Sequence, residues 1–429
     1  MNLQKHEDFL HVGGEFVSDR IILHSDLNCF YASVEMLLDP SLRGKAVAVC
    51  GSTEERHGIV LAKSELAKKA GVKTGQANWQ ARQACPNLIV VPPQYDEYLK
   101  FSKLVRSIYL RYTDLVEPYG MDECWLDVSG CRKLYGSGQE IAEQIRQTIK
   151  EEIGLTVSIG VSFNKIFAKL GSDMKKPDAV TVLEENNWRE RIWPLPSSDL
   201  LFVGRSTSRK LACRNVNTIG DIAHLPVEYM QKWFGKNGVV LWRYANGLDC
   251  SRIMHTEYES PMKSVGHGIT CSCDLTSNND VWKVILELSQ DVGRRLRLHG
   301  LAAQAVQLQI RASGLGFEQY QIPVSFATQS PLEIAQAAKI LFEKRYRWNE
   351  PVRAVCVRAI NLIPRSRPIQ LDLFGDNERH ARREQLDDCI DDIRRRFGSH
   401  SIISAALIGD LHMPDDGREK VKMPSMMYV

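Results

Sequence analysis

The sequence predicts an α+β protein of several domains, and three observations carry that prediction. At 429 residues the chain is long enough for two to four separate cores. Short apolar runs bounded by turn residues alternate with longer stretches of helical periodicity. With 44% apolar and 25% charged residues, the composition is that of an ordinary globular chain.

Composition also excludes classes. No apolar run approaches the roughly 20 residues that a bilayer span needs, and Met1 to Arg20 lacks the apolar centre of a signal peptide. A cytoplasmic chain with no membrane attachment is expected. Eleven cysteines without a Cys-x-x-Cys pair argue for reduced thiols rather than a disulfide framework. Cys271-x-Cys273 reads as two small strand residues. The net charge of +3 indicates no partner, although residues 264–365 hold 12 Lys+Arg against 8 Asp+Glu, a mildly basic module compatible with nucleic acid.

The elements follow in order. Ile21 to Asp26 is an apolar run that ends in a carboxylate, a buried strand delivering Asp26 at its C-terminal end. Phe30, Val34 and Leu37 then recur at helical spacing, with Asn28 as the expected N-cap. A strand feeding directly into a helix leaves backbone N–H groups beside Asp26, suited to phosphate oxygens. Further strands are expected near residues 46, 115, 124 and 156, and helices over Tyr95 to Tyr112 and Glu140 to Ile153, packed on one face of a mixed sheet. In Tyr119 to Gly130 the neighbouring carboxylates Asp122 and Glu123 stand at a strand corner after Gly120. Taken alone, that pair also reads as a solvated turn. Asp26, Asp122 and Glu123 together form a set of hard oxygen donors for two Mg²⁺ ions, which can stabilise both the attacking and the leaving oxygen of a phosphoryl displacement. Lys165 and Lys169 share one face of a helix capped by Ser162 or Asn164.

Three runs carry a resemblance: Asp26 to Glu35, Met121 to Asp127 and Ser158 to Lys169. Together they resemble the signature blocks of the Y-family translesion DNA polymerases, and the bacterial DNA polymerase IV (DinB/UmuC-like) branch is the nearest match. The resemblance implies a right-hand polymerase with a ferredoxin-like palm, small fingers, a helical thumb and an α+β little finger. Its expected boundaries are an N-terminal extension at 1–20, palm at 21–43 and 95–185, and fingers at 44–94. Beyond these come the thumb at 186–250, a linker at 251–263, the little finger at 264–365 and a tail at 366–429.

The resemblance also assigns roles. Asp26, Asp122, Glu123 and the Leu27 carbonyl are expected to hold the two Mg²⁺ ions. Tyr31, next to Phe30, matches the steric gate that excludes a ribose 2′-hydroxyl; without the resemblance it reads as a core aromatic. Phe30, Lys68 and Lys169 are expected at the incoming deoxynucleotide. At 65 and 68, where the branch usually carries Tyr and Arg, stand Glu65 and Lys68. Lys68 keeps the charge without the bidentate fork, and Glu65 brings negative charge towards a negative substrate, so weak nucleotide affinity is expected. The thumb hairpin around Val203-Gly204 is expected to offer backbone amides to DNA phosphates, with Arg205 standing where a second glycine is usual. Arg294, Arg295, Arg353 and Arg358 are candidates for phosphate contact, and for each a solvated charge is an equal reading. Gln370, Leu371, Asp372, Leu373 and Phe374 resemble the peptide that docks on the bacterial sliding clamp; docking on this chain's own little finger is the other reading. The expected partners are primer–template DNA, deoxynucleoside triphosphates and the clamp, and the expected state is a monomer. Two alternatives stay open: a catalytically weak or inactive accessory of the same family, favoured by Glu65, and a nucleotide cyclase with a similar two-metal palm.

Overall fold

The computed structural model describes residues 20–54, 56, 58–367, 376–398, 401–409, 411 and 413. Ile22–Leu27 (β1) is buried along its whole length, because both faces of its sheet are covered. It is the middle strand of a five-stranded sheet, order β5–β6–β1–β7–β8, formed with Val116–Pro118 (β5), Glu123–Asp127 (β6), Val157–Ser162 (β7) and Val180–Val182 (β8).

On one face lie Tyr95–Tyr109 (α4) and Gly138–Glu152 (α6), whose Tyr98, Val105, Ile141 and Ile145 share a core with Leu23, Leu126 and Ile159. A reciprocal Ser137–Glu140 capping box starts α6. The expectation of helices on one face holds for this pair. Lys165–Met174 (α7) covers the opposite face, where Gly160 allows it to approach: a Cβ there would stand 1.9 Å from the Ala168 carbonyl oxygen. That second layer brings α7 and its lysines over β1.

Between Phe30–Leu38 (α1) and α4 the chain inserts a small unit with its own core of Ala48, Val60, Ala67 and Ala81. Its three-stranded sheet orders Val60–Lys63 (β3), Val47–Cys50 (β2) and Ile89–Val91 (β4), and it carries Glu65–Lys69 (α2) and Asn78–Ala84 (α3). Arg132–Tyr135 (α5) is a single turn after β6.

Beyond β8 come Trp188–Ile192 (α8), Arg205–Ala212 (α9), Ile219–His224 (α10), Val227–Phe234 (α11) and Lys236–Ala245 (α12). Val203-Gly204, the expected hairpin, leads directly into α9, and α10 follows it. Their core includes Ile166, Phe167 and Leu170 of α7, so this helical unit stacks on the helix that covers the sheet. The linker also lies on the sheet unit: Ile253 is buried with Ile22 and Trp125, and Met254 N–H donates to Glu117 at 3.0 Å.

The last sheet is antiparallel, in the order β11–β10–β12–β9. Its strands are Ser264–Leu275 (β9), Leu301–Ala312 (β10), Phe317–Thr328 (β11) and Val352–Pro364 (β12), and Asn278–Leu298 (α13) and Pro331–Arg345 (α14) share one core with it. β9 holds Cys271 and Cys273 as read, but Gly266 and Gly268 interrupt its alternation. Asp376–Phe397 (α15) docks on the two helices through Arg297–Asp391 at 2.6 Å and His380–Glu333 at 3.0 Å. All eleven cysteines are free thiols, and among the described residues no helix is long and apolar enough to cross a membrane.

Candidate active site

The register of the first sheet sets the site. Asp26 at the end of β1 lies directly across from Glu123 at the start of β6, and the Leu27 N–H donates to the Asp122 carbonyl at 2.9 Å. Residues separated by almost a hundred positions therefore meet at one corner. Asp122 feels both of its neighbours: burial, then Glu123 and Asp26, raise its carboxyl to about 7.

Two lysines balance the other two acids. Lys176 donates to Asp26 at 2.7 Å and also reaches Asp173 at 2.9 Å. Burial nevertheless keeps Asp26 above the usual carboxylate range. Lys169, on α7, pairs with Glu123. Burial alone would raise Glu123, but His24 and Lys169 outweigh it and hold it at about 2. His24 is wholly buried and kept neutral by that burial, its pKa down at about 4. Its ring spans Glu123 at 3.2 Å and the Ser172 hydroxyl at 2.8 Å, bracing the carboxylate from below. Neither His24 nor Lys176 was singled out in the sequence. His24 lies on the same strand face as Asp26 by period-two alternation, which was a usable signal; nothing about Lys176 except its charge marked it.

The helix after β1 starts differently from expectation. Cys29, not Asn28, is the N-cap of α1; it is left-handed at φ 50°, and no side chain caps the helix. Asn28 turns inward instead, donating to Ser158 Oγ at 2.9 Å and accepting from the Asp178 N–H at 2.8 Å. The amide is worth more there, because a buried corner between three strands needs its polar groups paired. The uncapped first turn leaves backbone donors beside Asp26.

Phe30 is buried, and Tyr31 stacks on Tyr98 with ring centroids 4.2 Å apart and an interplanar angle of 9°. Its hydroxyl donates to Met121 Sδ at 3.4 Å, one residue before Asp122. Tyr31 is thus held rigidly against the acidic corner.

On the inserted unit, Lys68 lies 3.7 Å from Glu65, and the Cys29 thiol donates to Glu65 at 3.1 Å. Burial and the adjacent Glu65 push that thiol up to about 12, so it stays a donor. The Asn164 side chain caps α7, one of the two caps expected. Lys165 lies over the Trp125 ring and pairs with Glu117 at 2.6 Å, a structural position rather than a free cation.

The remaining candidates are dispersed. Gly204 is the N-cap of α9, and Arg205, its first residue, is exposed. Arg358 lies over Gly266 on the sheet face turned away from α13 and α14, beside Gln307 in register, and Arg353 is half-buried near the same strand's start. Arg294 and Arg295 are on α13 instead: Arg294 pairs with Asp291 at 2.6 Å, and Arg295 donates to the Gly266 carbonyl at 3.0 Å. Arg295 and Arg358 thus both touch Gly266, whereas Arg294 is held by Asp291. Residues 370–374 lie outside the described residues.

The donor set suits a hard divalent cation. Asp26, Asp122 and Glu123 are neighbours at one corner of the sheet, and carboxylate oxygens are the donors that such ions prefer. Among the described residues no three acidic, His or Cys side chains point at a single position in ligating geometry, since Asp26 and Glu123 are turned to their lysines.

A family model described as the impB/mucB/samB family matches residues 25–173, and that of its C-terminal domain matches 262–373. Residues 198–249 match a model described as the DNA polymerase-iota thumb domain. The DNA polymerase IV of Acetivibrio thermocellus is 50% identical over 391 residues, 91% of this chain and 98% of that protein. The chain belongs to the Y family of DNA polymerases. Pelotomaculum thermopropionicum DNA polymerase IV is 40% identical, over 90% of this chain and 94% of its own, and DNA polymerase IV 2 of Bacillus subtilis is 34% identical, over 91% and 95%. A solved Y-family DNA polymerase chimera shares the fold, with a TM-score of 0.71 at 23% identity over 80% of this chain and 99% of that one.

Proposed function

We propose that this chain is a template-directed DNA polymerase of the translesion type, adding deoxynucleotides to a primer 3′ end during DNA damage tolerance. The observation that carries it is the cross-strand pairing of Asp26 with Glu123, with Asp122 beside them and the uncapped start of α1 next to them. Asp26, Asp122, Glu123 and the Leu27 carbonyl would hold two Mg²⁺ ions, which supply charge stabilisation to the attacking and leaving oxygens. The chain's own groups do the rest. Lys169 and Lys68, once released from Glu123 and Glu65, neutralise the triphosphate. The α1 N–H groups donate to its oxygens, and the Tyr31 ring, braced by Tyr98, closes the space that a 2′-hydroxyl needs. Gly204, Arg205, Arg353 and Arg358 contact DNA phosphates; Arg294 and Arg295 do so only by giving up Asp291 and Gly266. The Gln370-Leu371-Asp372-Leu373-Phe374 peptide binds the sliding clamp. The protein works as a cytoplasmic monomer.

Primer extension with Mg²⁺ and four deoxynucleotides, beside Asp122→Ala, tests the reading. Extension by the native chain and a loss of roughly 10²-fold or more in the variant is expected, the scale of one removed electrostatic contact to the transition state. Tight primer–template binding without extension would favour the accessory alternative.

A further inference from the structure

The inserted unit carries an aromatic ring that the polymerase chemistry does not use. Trp79, on the first turn of α3, is 63% exposed. Among the described residues its ring stacks on nothing and its indole N–H has no acceptor. It lines an open cleft of about 650 Å³ together with Lys73, Gln76, Gln80, Gln83 and, from the helical unit beyond β8, Arg205. No carboxylate lines that cleft. Gln76 and Gln80 spend their side-chain oxygens on the Lys73 and Ala77 N–H groups, at 2.9 Å and 3.2 Å, which leaves their amide N–H₂ groups as donors.

A bare indole, two cations and free amide donors are the equipment of a single-strand site. A base stacks on the ring, the cations hold its phosphates, and any base satisfies the ring's face. The cleft has the volume of a small-molecule site, adequate for an unstacked nucleotide. Its position fits as well. Thr74, which lines it, accepts from Lys63 at 2.9 Å, and Lys63 ends the strand that leads into Glu65 and Lys68. One wall of the cleft thus adjoins the place assigned to the triphosphate.

We infer that Trp79 stacks on an unpaired base of the template strand, just beyond the pairing position, with Lys73 and Arg205 on the flanking phosphates. This rests on the polymerase reading, and the test separates the two. The full chain, Trp79→Ala and Trp79→Phe are titrated with primer–templates bearing a 5′ template overhang and with blunt duplex. 2-Aminopurine is then placed at successive overhang positions. Trp79→Ala should lose about 5- to 100-fold in overhang affinity, the range of one stacked base, with blunt-duplex affinity unchanged and Trp79→Phe in between. Aminopurine should be quenched at one position by the native chain and Trp79→Phe, and at none by Trp79→Ala. An overhang preference retained in Trp79→Ala, or quenching unaltered by it, overturns the stacking site while leaving the polymerase intact. Failure of the native chain to bind either DNA overturns the polymerase reading and the site with it.

Discussion

The palm corner and the fingers helix solve opposite charge problems with the same residue types. In the palm three carboxylates face two lysines; on the fingers one carboxylate, Glu65, stands with Lys68 and Lys63. The palm pairs are the more buried, with Lys169 and Lys176 side chains 16% and 24% exposed, against 51% for Lys68. Burial makes the palm's unpaired acid costly, and the cost appears in Asp122, held near neutrality in its own titration. On the fingers, water screens the pair and its energy is small. The palm therefore stores a demand for cations, whereas the fingers hold a weak latch that a polyanion can open.

The largest effect should come from taking the palm apart. Gly160→Ala forces a methyl against the Ala168 carbonyl and the Ser172 N–H, at 1.9 and 2.5 Å. Both are helix backbone, so α7 must lift and carry Lys169 and Ser172 with it. A loss of about 3 kcal/mol or more in denaturant unfolding is expected, at the upper end for overpacking, together with loss of primer extension. A change under about 1 kcal/mol would mean that α7 tolerates sliding and that its close approach does not set the site.

Next is Tyr31, proposed above as the gate, which packs on the palm residues Tyr95, Tyr98 and Met121. Tyr31→Ala removes the ring stacked on Tyr98 and should reduce discrimination against ribonucleotides by about 10²-fold, the scale of a well-packed pocket contact. Competing deoxy- and ribonucleotides at a single template position measure it. Deoxynucleotide incorporation should fall far less, because Asp26, Asp122 and Glu123 remain.

The palm was legible and the fingers only partly so, for a physical reason. A palm strand buried on both faces opens on apolar residues, so Asp26 stands out after Ile21-Ile22-Leu23. Helices α4 and α6 announced themselves by period, with ends within a few residues of expectation. Asn28 misled because an Asn before a helix is usually its cap; here the corner's buried hydrogen bonds had the stronger claim. Lys176 was invisible because its meaning lies in cross-layer neighbours, which spacing does not reveal; for His24 the alternation gave the face it shares with Asp26 but not its partners Glu123 and Ser172. The second-layer position of α7 was missed for the same reason.

Glu65→Gln sharpens the comparison on the fingers side. It keeps the shape, leaves an acceptor for the Cys29 thiol and removes the charge beside Lys68. The deoxynucleotide KM should fall by about three- to tenfold, or 0.7–1.4 kcal/mol, with kcat nearly unchanged, because the substrate no longer competes with Glu65 for the lysine. Single-turnover kinetics separate the two constants. An unchanged KM would show that Glu65 already points away when substrate arrives.

The smallest effect decides what holds the latch. Cys29 and Lys68 both engage Glu65, one from the palm and one from its own helix. A thiol is a weak donor, and Glu65 is one-third exposed, so water can replace it. Cys29→Ala should therefore move the nucleotide KM by no more than about twofold, or 0.4 kcal/mol. The left-handed backbone at Cys29 suits alanine no worse than cysteine, which keeps the comparison clean. If Cys29→Ala matched the effect of Glu65→Gln, the tether from palm to fingers, not the charge on Lys68, would be the part of the latch that nucleotide binding must break.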